Sequence, residues 1–362
     1  MRTVGVEEEL LLVDPDTGEP KALAAAVLAH VAHDDPGQQV FEKELFRQML
    51  EFATHPQADM GALGEEIVRW RKEAARHAGE IGSAVVALAT SPLPVSPSLS
   101  VNERYQWLAE RYGIPTWEQL VCGCHVHVSV ESDEEGVAVL DRIRPWLPVL
   151  RAVSANSPFW QGRDTSYASY RSQVWSRWPS AGPTELFESA ERYHRRVTEM
   201  VATGAILDVG MVYFDARLSA HYPTVEIRVS DVCLSAETAA LIATLSRALV
   251  ETAARDWRAG RPAPGHSVSV LRLADWQAAR FGLEEDLLDP LTMRPLTAPQ
   301  VLRSLLEHTG DALTACGDAE RAEQGVAELL RHGNGARRQR RLLERTGSLR
   351  DVVTECVRHT QG

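Results

Sequence analysis

The chain lacks paired cysteines, long apolar runs and an excess of positive charge. Its five cysteines are odd in number and form no Cys-x-x-Cys pair, which indicates a reducing compartment and predicts a cytoplasmic location. No apolar stretch approaches the roughly 18 residues of a membrane span, and no signal-like segment follows Met1, so no membrane partner is expected. The formal net charge of −12 argues against a nucleic-acid partner.

Three common phosphate-binding or nucleophile motifs are also missing from the sequence. There is no GxxxxGK[ST] loop, no GxGxxG after a predicted strand and no GxSxG turn. If the protein binds a nucleotide, metal ions and arginines must therefore hold the phosphates. The 362 residues are 44% hydrophobic and 24% charged, which is typical of a globular protein with one large domain or two ordinary ones.

Chemically active side chains lie on three predicted strands. These strands are residues 5–9 (GVEEE), 122–129 (CGCHVHVS) and 224–229 (TVEIRV). Because side chains alternate along a strand, Glu7 and Glu9 share one face, and His125 and His127 share another. The carboxylates suit Mg²⁺, although a solvated strand face is the ordinary alternative. The histidines are either chemically active or structural.

The third strand pairs Glu226 with Arg228 on one face. Apolar residues on both sides predict a central, half-buried strand, in which an arginine needs a carboxylate or phosphate partner. A simple surface ion pair is the alternative. Carboxylates, imidazoles and an arginine from three distant strands together predict a sheet whose polar face holds metal ions and phosphate.

Two further features of the sequence need the structure to interpret them. Glu44 and Glu51 are seven residues apart, so they share a face only in a helix, or in strands separated by a bulge or loop. The segment CGCH resembles a zinc motif, but strand parity directs Cys122 and Cys124 away from the histidines. We therefore expect the cysteines to act as small buried hydrophobes.

The pattern along the chain favours a single α+β domain over residues 1–362, helical from about residue 236. Residues 260–266 are the best alternative boundary. Predicted helices cover residues 60–79, 102–112, 133–150 (broken by two prolines) and 184–202, and predicted strands cover residues 4–14, 83–89, 122–130, 211–214 and 223–229. Residues 337–341 (RRQRR) are interpreted as a solvated helix face.

Residues 162–171 (GRDTSYASYR) are polar and aromatic and are expected to form a loop that enters a helix. Arg163, Tyr167 and Arg171 in this loop suit the recognition of a substrate carboxylate or phosphate. A purely structural loop is the alternative.

The order of these motifs resembles that of the glutamate–cysteine ligases. GVEEE, the LEF segment around Glu51, GCHVH, VEIR and DTSYASYR occur in the same order as in the type 2, carboxylate–amine ligase branch, over roughly residues 2–345. The resemblance implies a glutamine synthetase-like α+β fold. In this fold a curved, mostly antiparallel sheet carries helices on its outer face, and its concave face holds ATP and two or three Mg²⁺ (or Mn²⁺) ions.

The resemblance also implies roles for individual residues. By position, the metal ligands are Glu7, Glu9, Glu44, Glu51, His125 and Glu226. Arg228 matches the phosphate-stabilising arginine, so Arg228 and Glu226 are the expected catalytic residues. His127 and Glu44 stand where some relatives carry other residues. Arg171, with Tyr167 and Arg163, is expected to bind substrate.

The implied reaction is ATP-dependent joining of a carboxylate to an amine through an acyl phosphate. The expected substrates are an acidic amino acid such as glutamate and an amine such as cysteine. Two other classes remain open, a metal-dependent hydrolase that uses the same side chains and a non-catalytic nucleotide or metal sensor. The sequence leaves the oligomeric state open, a homo-oligomer included.

Overall fold

The computed structural model describes residues 1–34 and 40–361, and its centre is an antiparallel sheet of seven strands. The eleven described strands are β1 (Val4–Val13), β2 (Phe41–Lys43), β3 (Met49–Ala53), β4 (Ala84–Val86), β5 (Gly123–Ser129), β6 (Phe159–Trp160), β7 (Arg163–Asp164), β8 (Ala216–Leu218), β9 (Thr224–Asp231), β10 (Asp286–Leu288) and β11 (Pro295–Thr297). The main sheet has the order β2-β3-β1-β5-β9-β8, and β4 pairs with the end of β1.

Helices surround this sheet and fill most of the second half of the chain. They are α1 (Ala24–Asp34), α2 (Met60–Glu80), α3 (Glu103–Tyr112), α4 (Ile114–Trp117), α5 (Asp133–Ile143), α6 (Leu147–Ser154), α7 (Tyr170–Trp175), α8 (Ala190–Ala202), α9 (Ala236–Arg258), α10 (Val268–Phe281), α11 (Ala298–Cys316), α12 (Ala319–His332), α13 (Gly335–Thr346) and α14 (Leu349–Gln361). Within the described ranges, no helix is both long and apolar enough to cross a membrane.

The three strands with the candidate site residues are neighbours in the sheet, because β5 pairs with β1 on one side and with β9 on the other. One face carries the polar side chains. The opposite face is apolar, with Val6, Val126 and Ile227 fully buried, and α2 and α9 pack against strands of the sheet. The period-2 pattern therefore predicted correctly which side of each of these strands is apolar.

Glu8 lies on the apolar face and forms a buried ion pair. Arg71 of α2 holds both oxygens of the Glu8 carboxylate at 2.7 Å, and it also donates to the carbonyl oxygens of Cys233 and Leu234. Two parallel N–H···O bonds are the strong geometry for this pair. The pair thus joins α2 to the sheet and to the segment before α9.

Several predicted elements differ from the structure, and the predicted strand 83–89, for example, is only Ala84–Val86. Helix α8 begins at Ala190 rather than at residue 184, because the carboxylate of Asp141 accepts the backbone N–H groups of Phe187 and Glu188 at 2.8 Å and holds that segment outside the helix. Ser189 then caps the helix. The predicted strand 211–214 is not formed; a short 3₁₀ turn ends at Met211, and Phe214 makes an isolated bridge with Gly182.

Candidate active site

One carboxylate occupies the centre of the polar face of the sheet. The β1–β5 register places Glu7 directly opposite His125, and the β5–β9 register places His127 opposite Glu226. Glu7 Oε2 lies 3.2 Å from His125 Nδ1, and Glu7 Oε1 lies 3.2 Å from His127 Nε2. Burial acts to raise the pKa of Glu7, but the hydrogen bonds to the two histidines outweigh it and hold that pKa well below its usual range.

Two groups of potential metal ligands share Glu7. Glu7, Glu51 and His125 form one group, and Glu7, His127 and Glu226 form the other; in each group the ligand atoms lie within 4.8 Å of one another. Oxygen-rich sets of this kind suit Mg²⁺ or Mn²⁺. The predicted ligand set did not include His127. Its position on the same strand face as His125 could have indicated it.

Glu9, Glu44 and Glu51 form a carboxylate cluster next to the first group. Glu9 is opposite Glu51 in the β1–β3 register, and Glu44 stands in the loop between β2 and β3, so the loop alternative for the seven-residue spacing is the one observed. Burial and then the charge of Glu44 raise the pKa of Glu9 to about 7, and the same two causes raise that of Glu51 well above its usual range. Such mutually repelling carboxylates fit a cation.

A donor atom also remains free for a cation or a ligand. Burial and then the charge of Arg228 lower the pKa of His125 to about 4, so its imidazole is neutral near pH 7. The Nε2 atom of His125 is buried and has no hydrogen-bond partner among the described residues. A neutral imidazole with an unpartnered nitrogen beside carboxylates is the donor set that a divalent metal uses.

Glu226 is held between two arginines. Arg217 Nε donates to Glu226 Oε2 at 2.7 Å, and Arg228 Nη1 donates to Glu226 Oε1. Burial acts to raise the pKa of Glu226, but the two guanidinium groups outweigh it and hold that pKa below its usual range. Arg228 Nε is buried with no hydrogen-bond partner in residues 1–34 and 40–361, and the guanidinium lies 5.8 Å from the ring centre of Trp175.

Sequence reasoning missed Arg217. It stands in β8, which follows the wrongly predicted strand, and its Nη1 donates to the carbonyl oxygens of Gly210 and Val212. Those bonds also explain the missing strand, because they direct carbonyl groups of this segment toward a side chain instead of toward a neighbouring strand.

A cavity of about 290 Å³ opens over these side chains. Acidic and imidazole groups of both ligand sets line its floor, together with Arg217 and Arg228. Further lining residues that the sequence did not indicate are Arg104, Tyr105, Gln119, Trp175, Trp178, Tyr213, His221 and Tyr222. They come from helices and loops in which no local pattern marks a functional residue. The cavity therefore combines clustered negative charge with cationic and aromatic walls.

The three predicted substrate-binding residues are not among those that line the cavity. Arg163 is exposed and Tyr167 is half-buried, and Tyr167 Oη accepts a hydrogen bond from Trp276 on α10 at 3.2 Å. Arg171 is buried against the backbone of Gly123, where an added Cβ atom would lie 2.3 Å from Arg171 Nη2. Their substrate-binding role stays a prediction.

Cys124 lies on the apolar side of the sheet, opposite Glu8 in the β1–β5 register, and Cys122 immediately precedes β5. Both are buried, and burial raises the pKa of each thiol well above its usual range. A thiol that stays protonated is a poor metal ligand. The placement of Cys124 agrees with the strand-parity argument against a mixed cysteine–histidine zinc site, whereas Cys122 lies outside β5, where strand parity does not apply.

Comparison with known proteins places this geometry in a family. A family model described as glutamate–cysteine ligase family 2 matches residues 3–355. A Streptomyces avermitilis protein named as a candidate glutamate–cysteine ligase 2-1 is 76% identical over 362 residues, covering all of both chains. A similarly named protein of Streptomyces coelicolor is 72% identical over all of this chain and 99% of its own.

A solved structure shares the fold at low sequence identity. The glutamate–cysteine ligase of Francisella tularensis, determined in complex with AMP, superposes with a TM-score of 0.71 at 12% identity and covers 99% of this chain and 88% of that one. This likeness confirms the expected glutamine synthetase-like α+β fold. The family match over nearly the whole length and the close relatives confirm the resemblance seen in the motifs. The chain belongs to the glutamate–cysteine ligase family 2 and is a ligase of the glutamate–cysteine ligase type.

Proposed function

We propose that this protein is an ATP- and Mg²⁺-dependent carboxylate–amine ligase that forms a γ-glutamyl-type amide bond through an acyl phosphate. The observation that carries the proposal is the pair of ligand groups sharing Glu7, with the free Nε of Arg228 beside them. Family membership supports the ligase class. The AMP complex of the Francisella tularensis protein supports an adenine nucleotide as co-substrate.

Metal ions would be held by Glu7, Glu51 and His125 in one position and by Glu7, His127 and Glu226 in the other. Glu9 and Glu44 would complete the carboxylate set. Bound Mg²⁺ would supply charge neutralisation for the ATP phosphates. The donor atoms are the hard oxygens and neutral nitrogens that this ion and Mn²⁺ accept, and no thiolate takes part.

The side chains of the protein then position the reacting groups. The substrate carboxylate oxygen attacks the γ-phosphorus and ADP leaves, giving an acyl phosphate. The amine nitrogen attacks the acyl carbon, and inorganic phosphate leaves. Two anions must approach each other in the first step, so cationic groups fixed at the site lower its barrier. Arg228 is fixed by Glu226 and by the rings of Trp175 and Tyr213, and it lines the cavity with an Nε that has no hydrogen-bond partner among the described residues.

The expected acid is an acidic amino acid such as glutamate, and the expected amine is an amino acid such as cysteine. Arg171, Tyr167 and Arg163 are retained as proposed substrate-binding residues. An Arg171→Lys variant tests this proposal. A rise in the KM for the acid at unchanged kcat would support it, and an unchanged KM with a lower melting temperature would assign Arg171 to packing.

The direct test is an ADP-release screen with Mg²⁺ across pairs of acidic amino acids and amines. Hydroxylamine added in place of the amine should trap an acyl phosphate as a hydroxamate. The proposal predicts ADP and hydroxamate in equal amounts, both dependent on the acid. Turnover without ATP would instead indicate a metal-dependent hydrolase, and ATP binding without ADP release would indicate a sensor.

A further inference from the structure

A second group of metal-binding side chains lies between α1 and α2, apart from the candidate active site. It consists of His30 and Asp34 on α1 and His77 and Glu80 on α2, and their ligand atoms all lie within 4.8 Å of one another. Residues three or four apart share one face of a helix, so each helix presents two donors toward the other. None of the four residues takes part in the proposed ligase chemistry.

We propose that these four side chains form a binding site for a divalent transition metal such as Zn²⁺. Two imidazole nitrogens and two carboxylate oxygens are donors that Zn²⁺ binds at about 2.0–2.2 Å in a tetrahedron, which places ligand atoms about 3.3 Å apart. The observed ligand atoms lie within 4.8 Å of one another, so the distance between any two of them must shorten by about 1.5 Å at most to fit this tetrahedron. His30 Nε2 already contacts Glu80 Oε2.

His77 is the most buried of the four residues. Its side chain is 0% exposed, and its ring packs edge-on against the rings of His30 (5.4 Å between centroids) and Phe41 (6.4 Å). Its Nδ1 atom is buried without a hydrogen-bond partner among the described residues.

The charge balance at this group favours a divalent cation. Arg76 donates to Asp34 at 2.9 Å, to Glu73 at 3.0 Å and to Glu80 at 3.3 Å, and it lies 2.8 Å from His77 Nε2. Three carboxylates therefore face one guanidinium, which leaves two negative charges uncompensated. Arg76 is 42% exposed and also pairs with Glu73. A metal ion that displaces the guanidinium from Asp34 and Glu80 would therefore leave it paired with Glu73.

The experiment uses full-length, tag-free protein stripped with chelator and carrying Glu7→Gln, which removes the ligand shared by the two active-site groups. Titration with Co²⁺ should give the visible absorption of a tetrahedral complex at one equivalent per chain, and Zn²⁺ should abolish it. Added His30→Ala or Asp34→Asn should each weaken Co²⁺ affinity by at least about tenfold. Both positions are partly or fully exposed, so folding is expected to persist and is checked by circular dichroism.

Two further variants make the test specific. Arg76→Gln should tighten Co²⁺ binding, because it removes the competing cation, whereas a purely structural role for Arg76 predicts no gain. His194→Ala removes an exposed histidine paired with Asp133 elsewhere and should leave the titration unchanged. Co²⁺ affinity that survives His30→Ala, or a spectrum without tetrahedral bands, would overturn the proposal. Because the readout is metal binding in an active-site variant, its failure leaves the ligase proposal untouched.

Discussion

Replacing Arg228 with lysine should separate nucleotide binding from phosphoryl transfer. Arg228 donates from Nη1 to Glu226, and its Nε has no hydrogen-bond partner among the described residues. The same side chain, which lines the cavity, can therefore also donate to a phosphate oxygen. Lysine keeps the positive charge but has a single ammonium group and lacks the planar fork. Loss of one such contact costs about 2.7–4 kcal/mol, so the rate of ADP formation should fall about a hundred- to thousandfold.

The assay for this variant has two parts. Mg²⁺-dependent titration with ATP should show nearly unchanged affinity for Arg228→Lys, and single-turnover ADP release should show the rate loss. Glu226→Gln should instead weaken metal and nucleotide binding, because it removes negative charge from the ligand group it shares with Glu7.

A matched control comes from an arginine that does not line the cavity. Arg177 is exposed and forms an ion pair with Glu118, a kind of contact worth about 0–1 kcal/mol. Arg177→Lys should therefore leave the ADP-release rate nearly unchanged. Near-native turnover of Arg228→Lys would refute the reasoning and leave Arg228 as a structural partner of Glu226.

Three other predictions follow from the same contacts. Excess chelator should abolish ATP binding measured by calorimetry, because the sequence has no phosphate-binding loop; unchanged affinity would contradict the metal sites. Replacing Cys122 and Cys124 with alanine should lower the free energy of unfolding by about 1 kcal/mol each and leave activity per folded molecule intact; an inactive folded double variant would revive a thiolate site. Arg71→Met should cost about 3–5 kcal/mol in urea unfolding, because it strands the buried Glu8 carboxylate, and Glu8→Gln added to it should recover part of that loss.

Strand parity accounts for what the sequence predicted well. In β1 and β5 a period of two residues determines the face of every side chain, and Val6 and Val126 are buried on the apolar face. Parity therefore places Glu7 and His125 on the same face once the two strands pair, and the observed register places them directly opposite each other. Nothing in either segment indicated that these two strands pair; the family resemblance implied only that they belong to one curved, mostly antiparallel sheet.

Loops and helices account for what the sequence could not supply. Glu44 reaches the carboxylate cluster through a loop, whose path depends on contacts such as the hydrogen bond from Ser100 Oγ to the Glu44 carbonyl oxygen. Arg217 depends on a strand of three residues, too short to show alternation. Arg171 was assigned to substrate by its polar neighbours, but tertiary packing buries it against Gly123.

An irregularity in β9 shows why periodicity alone could not complete the site. His127 pairs with Glu226, but Cys124 pairs with Ser230, so the β5–β9 register shifts by one residue between these points. Beyond this bulge the odd-numbered Asp231 comes opposite Gly123 and so joins the polar face, whereas strict alternation would place Ser230 there.

Asp231 then anchors the segment that leads into α7. Its carboxylate accepts hydrogen bonds from Ser157 Oγ at 2.7 Å and Ser169 Oγ at 2.9 Å, and Ser169 immediately precedes α7. That helix carries Trp175, whose ring lies against the guanidinium of Arg228. One extra residue in β9 thus connects the polar face of the sheet to the helix whose tryptophan contacts Arg228. Alternation places the carboxylate and imidazole side chains on one face, and the bulge helps to position the helix that packs against the neighbouring arginine.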